Sequence, residues 1–146
     1  MRGHLHQLQT NIQNKEKDMK QIRLWEPVYI ENSKIPKILS PFSPVEIWAI
    51  NVGPWVWCRG DLTKTVKRHE TIHFQQQLEL LFIIHWFLYV MFWIIGTVIY
   101  RSASLGYENS PFEREAYDNE RRYTYLEKRK RYAWISYIKT WWVLKL

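Results

Sequence analysis

Polar and apolar positions divide the chain into segments of clearly different kinds. Residues 1–18 are rich in Gln, Asn, Lys and His and poor in apolar side chains, which predicts a frayed arm or a weak helix. Residues 19–146 read as a single domain. Between 24 and 58, short apolar runs alternate with turn residues. Val28–Ile30 is a strand, and Pro36, Pro41 and Pro44 rule out a helix running through the stretch that holds them. Residues 46–52 place Trp48, Ile50 and Val52 on one face of a second strand. Gly53-Pro54 is a turn and Trp55–Cys58 a third strand, so a small antiparallel sheet is expected. Asp61 is the expected N-cap of a helix that nothing interrupts as far as Leu80. Residues 80–100 are apolar except for His85, Gly96 and Thr97, and 101–109 read as a polar loop. Ser110-Pro111-Phe112-Glu113 has the form of a helix start, and that helix can extend to about Lys130. A basic, aromatic helix closes the chain. The fold class is α+β.

Composition narrows the chemistry. The single cysteine, Cys58, excludes an internal disulfide and a cysteine-rich metal site, so any metal must be held by histidine and carboxylate. The net charge of +7 favours anionic surfaces. Nine tryptophans and nine tyrosines tilt that preference toward a membrane interface rather than nucleic acid, and no nucleic-acid module is visible. No apolar signal segment occurs in the first 24 residues, and Met19 is a second candidate for the natural start.

The motif that carries chemistry is His69-Glu70-Thr71-Ile72-His73. Four residues apart on a helix, His69 and His73 share a face and can offer two imidazole nitrogens to one zinc ion. Glu70, one position along, can reach a zinc-bound water without ligating the metal and act as its general base. A catalytic zinc needs a third protein ligand. His85, Glu79, Glu108, Glu113, Glu115 and Glu120 are the candidates in reach of the argument. His85 lies twelve residues past His73, ~18 Å along one helix, and would need a sharp reversal to ligate.

His69-Glu70-x-x-His73 followed some forty residues later by Glu113-Arg114-Glu115-Ala116 resembles the gluzincin metallopeptidases. The similarity is greatest to the membrane-associated branch related to CAAX-processing and HtpX-type proteases, and to minigluzincins. It covers residues 60–120 and the strand before them. It implies a zincin-like fold, one zinc ion, Glu113 as third ligand and hydrolysis of a peptide or protein substrate. Glu113 also suits a capping box with Ser110, so cap and ligand are competing roles. The aspartate that usually follows the ligand glutamate by four residues is replaced by Tyr117, with Asp118 next; both are candidates for transition-state or supporting roles.

The zinc site constrains the apolar segment. Residues 80–100 are long enough to span a bilayer, but a span would separate Glu113 from the histidines by ~30 Å. A helical hairpin turning between His85 and Phe92 is therefore expected, or, with more strain, a long helix with an extended return over residues 101–112, which at most covers ~40 Å. The hairpin's apolar surface would serve as a buried pair, a homo-oligomer contact or an anchor in one leaflet. Trp134, Tyr137 or Ile138, Trp141 and Leu144 form a stripe near Lys128, Arg129, Lys130, Arg131, Lys139 and Lys145. That stripe suits either an anionic interface or ordinary packing. The leading expectation is a membrane-associated zinc peptidase, with Trp55, Val56 and Trp57 as the edge strand that receives substrate. The alternatives are a catalytically inactive membrane-surface module with the same fold and a basic nucleic-acid binder.

Overall fold

The computed structural model describes residues 25–143; the expected polar arm at 1–18, and Leu144 and Lys145 of the C-terminal stripe, lie outside them. The architecture is α+β, with a small sheet followed by helices. Strand β1 is Val28–Ile30, β2 is Ala49–Val52 and β3 is Trp55–Cys58, in the order β1-β3-β2. β2 and β3 form the expected antiparallel pair around Gly53, whose φ of 62° favours glycine. β1 joins β3 in parallel, with Tyr29 opposite Val56, so the sheet is mixed rather than purely antiparallel. The prolines begin short helical pieces instead of excluding them: α1 (Ile35–Leu39) and a 3-10 turn (Ser40–Phe42) each carry proline in the first turn.

The sheet turns Asn51, Val56 and Cys58 inward and leaves Trp55, Val52 and Val28 exposed. The alternation in β2 thus points the opposite way from the hydrophobic reading: the polar Asn51 is the buried residue because its amide donates to the Glu70 carbonyl (2.8 Å). Tyr29 clamps the other side, its hydroxyl 2.9 Å from the Lys67 carbonyl and 2.7 Å from Thr71 Oγ1.

Helix α2 runs Lys64–Glu79, capped by Thr63, whose hydroxyl accepts from Val66 N. Asp61, the expected cap, instead accepts from Asn32 Nδ2. The apolar segment breaks at its beginning. Leu81 and Phe82 both take positive φ (52° and 56°), and α3 then runs unbroken over Ile83–Tyr100. No turn occurs between His85 and Phe92. The chain reverses at Arg101 (φ 51°), and the stretch expected to be a polar loop contains a helix, α4 (Ala103–Glu108), that returns along α3. The crossing is close because both backbones are bare: a Cβ on Gly106 would lie 2.4 Å from Thr97 N. Gly106→Ala is therefore expected to force the helices apart and destabilise the fold by about 1–3 kcal/mol; an unchanged urea midpoint would mean that they are not so tightly crossed.

Helix α5 (Pro111–Asn119) ends eleven residues short of Lys130, followed by α6 (Tyr125–Lys128) and α7 (Ile135–Val143). The bend lets Arg129 fold back onto Glu115 and Glu79. Phe92, Phe112, Trp134 and Trp141 form a buried aromatic cluster that ties α3, α5 and α7 together. Two tryptophans of the C-terminal stripe, Trp134 and Trp141, are thus core residues. The unpaired apolar surface sits elsewhere. On α3, Ile83, Phe87, Ile94 and Val98 are each more than half exposed and share one face with Val90. This helix is long and apolar enough to cross a membrane by length and composition.

Candidate metal centre

One turn of α2 sets His69 above His73, with Nε2 atoms 3.1 Å apart. Helix α5 brings Glu113 against both. Its Oε1 is 3.2 Å from His73 Nε2 and its Oε2 3.5 Å from His69 Nε2. Around a tetrahedral zinc with bonds of ~2.0–2.1 Å, neighbouring ligand atoms lie ~3.3–3.4 Å apart. The observed separations are near that value but run to different oxygens of Glu113; taking one ligand atom from each residue, all three lie within 4.8 Å of one another, so the group could hold a metal ion. Glu113 is 1% exposed, and its Oε2 lacks a good hydrogen-bond partner. A buried carboxylate oxygen so placed suits a cation.

The outer ring nitrogens are already engaged. His69 Nδ1 donates to Glu120 Oε2 and His73 Nδ1 to Gln76 Oε1, each at 2.9 Å. This fixes the tautomer that leaves Nε2 free to ligate. Gln76 in turn donates to the Phe112 carbonyl and to Glu115 Oε2, so α2 and α5 are locked beside the site. Tyr89 of α3 donates to Glu113 Oε1 at 2.6 Å.

Among the candidates for third ligand, the structure brings only Glu113 to the histidines at ligand spacing among the described residues. Ser110 Oγ caps the Glu113 amide at 3.4 Å, so the backbone of residue 113 completes the cap while its side chain turns to the imidazoles. Glu115 and Glu79 share Arg129, Glu108 accepts from Ser104, and Glu120 supports His69. Asp118 does not support the site: it faces solvent and pairs with Arg114 at 3.8 Å. Tyr117 stays close, its ring 4.8 Å from that of His69, and burial raises its pKa so that it remains a donor.

Glu70 is buried beside the group without belonging to it, and together with His69 it lines two clefts. Burial raises its carboxyl pKa, against the pull of His69 and His73. The expected substrate strand needs correction. β3, with Trp55, Val56 and Trp57, is the central strand and is paired on both sides. β1 and β2 are the edge strands, and on the β2 side Ile47 and Ala49 line both clefts. Cys58 is buried in the sheet, and burial pushes its thiol up to about 11, far from a metal-ligating thiolate.

Burial lowers the His69 pKa, but the Glu113 and Glu120 carboxylates beside the ring raise it to about 10. A metal needs the neutral ring, so zinc must displace at least one proton at pH 7. The apparent zinc affinity is expected to strengthen about tenfold per pH unit for each proton displaced, and to continue rising above pH 6.5. Calorimetric titration in buffers of different ionisation enthalpy reads the proton count; a count of zero at pH 7 would contradict it.

No family model, curated protein or solved structure matches the chain.

Proposed function

We propose that the protein is a zinc-dependent peptidase of gluzincin type working at a membrane surface. The observation that carries this reading is the convergence of His69 Nε2, His73 Nε2 and the Glu113 carboxylate, with one ligand atom from each within 4.8 Å of the others and Glu70 buried beside them outside the group. Zinc, when bound, would supply a Lewis acid that acidifies a water and polarises the scissile carbonyl. His69, His73 and Glu113 hold the ion, and Glu120 and Gln76 keep the rings turned toward it. Glu70 accepts the proton of the attacking water and returns it to the leaving amine. Tyr117 offers a hydroxyl to the developing oxyanion. A substrate strand adds to the free edge of β2, its backbone paired and its side chains directed into the flanking clefts.

The membrane part rests on α3. It carries no charged residue over eighteen positions, and its exposed apolar stripe faces away from α5 and the aromatic cluster. A stripe on one side of a packed helix suits a helix lying against a leaflet, not crossing it. The test uses the full chain, loaded with one equivalent of zinc, on a peptide mixture read by mass spectrometry. Cleavage that stops on chelation and returns with zinc supports the peptidase; no zinc uptake, or cleavage that survives chelation, sinks it. In sealed vesicles, cysteines at positions 64 and 125 should be labelled from the same side. Labelling from opposite sides would mean a span.

A further inference from the structure

Against the proposed site lies a cavity of about 230 Å³ whose walls are mostly apolar, among them Ile47, Ile50, Trp86, Val90 and Trp93. His85 lies on its wall. The imidazole is 2% exposed, and neither ring nitrogen has a hydrogen-bond partner. Phe112 and Tyr89 pack against the ring at 4.6 and 5.6 Å between centroids, so it is held in place by groups that offer it no hydrogen bond. Asn51 Oδ1, on the same wall, is a second buried acceptor without a partner. Unpartnered buried polar atoms are uncommon, because each forfeits its bonds to water. Three such atoms on His85 and Asn51 around one cavity, besides Glu113 Oε2 of the proposed metal site, point to an occupant that brings hydrogen-bonding groups with it.

Size and lining restrict that occupant. An engineered cavity of about 150 Å³ with apolar walls holds benzene. A cavity of about 230 Å³ has room for a substituted ring. The walls favour an aromatic body, and the neutral imidazole, with one donor and one acceptor nitrogen, favours a group that can give or take a proton bond. We infer that this cavity is the specificity subsite of the proposed peptidase, and that it selects a tyrosine side chain, with the phenol hydroxyl hydrogen-bonded to His85. The inference rests on the peptidase reading for the words subsite and substrate, but the cavity's preference for a phenol does not need turnover. Phenylalanine fills the same walls yet leaves the imidazole unpaired, and a site built to bond a hydroxyl discriminates against an analogue that lacks one.

The experiment titrates the metal-free full chain with p-cresol and with toluene, followed by NMR shifts of the indole N–H of Trp86 and Trp93. Binding of p-cresol at least about tenfold tighter than toluene is expected. His85→Phe, which keeps the ring packing on Phe112, should reduce the difference to about twofold or less, and His85→Gln should retain it. Equal binding of the two probes to the unaltered chain overturns the inference with no variant needed, as does a preference that survives in His85→Phe. The zinc-loaded chain then cleaves tyrosine peptides over their phenylalanine counterparts, read as kcat/KM. Hydrolysis with no tyrosine preference overturns the subsite alone. A His85-dependent phenol preference without hydrolysis supports the cavity and overturns the peptidase reading alone.

Discussion

Replacing Glu70 by glutamine is expected to leave zinc bound and to lower peptide hydrolysis by about 10²–10⁴-fold, the range typical of a lost general base. The amide has the same shape and fills the same buried position. It cannot accept the proton of the attacking water. The fold should not notice the change, because the bond from Asn51 to residue 70 goes to the backbone carbonyl. Zinc uptake should not notice it either, since the carboxylate lies outside the group formed by His69, His73 and Glu113. Metal content and turnover must be measured on the same preparation. Loss of zinc together with activity would make Glu70 a ligand or a fold determinant, and unchanged turnover would remove it from the chemistry. Glu113→Gln provides the contrast: there the metal itself should go, and activity with it.

The half of this site that lies on one helix was legible in the sequence because its geometry is local. His69 and His73 share a face by the helical repeat alone, wherever the helix is placed. Glu113 belongs to another helix, and no periodicity links it to α2; only the resemblance pointed to it. The residues that orient the imidazoles are harder still. Gln76 is three positions from His73, a spacing that invites the bond, but any polar residue there would look the same. Glu120 reaches His69 only because α5 crosses α2 at this height. Tyr89 reaches Glu113 from a helix whose sequence reads as featureless apolar chain.

The fold shows the same division between local and long-range terms. The sheet hairpin was visible because Gly53-Pro54 marks it. The parallel attachment of β1 depends on pairing across a long intervening stretch, and it decides which strand is the edge. That is why β3, read as an edge, is the central strand. The break at 80–82 has no glycine or proline to announce it; two left-handed residues make it. The stripe through Trp134 and Trp141 has the spacing of a packed helix and of an interfacial one alike, and only the contacts with Phe92 and Phe112 place these two tryptophans in the core.

The largest stability effect is expected at Arg129, which no motif singles out. Its guanidinium is almost fully buried and is shared between Glu115, wholly buried, and Glu79. The Nη2 nitrogen alone lies 3.1 Å from Glu115 Oε2 and 3.3 Å from Glu79 Oε2. Tyr125 and Gln76 donate the remaining bonds to Glu115. Arg129→Ala would leave two carboxylates facing each other out of water with their shared cation gone, which typically costs about 3–5 kcal/mol. Urea unfolding of the metal-free chain should show that loss, and a change under about 1 kcal/mol would mean the ion pair is solvated in solution. Arg129→Lys should recover only part of it, because an ammonium cannot match the planar fork that engages both carboxylates. The metal site should register the same change. Glu115 is two residues from Glu113 on α5, and Gln76 links it to the ring of His73. Loosening α5 should therefore weaken zinc binding, and saturating zinc should in turn restore part of the lost stability by binding the folded state alone. A zinc affinity unchanged in Arg129→Ala would show that α5 holds Glu113 in place without this ion pair.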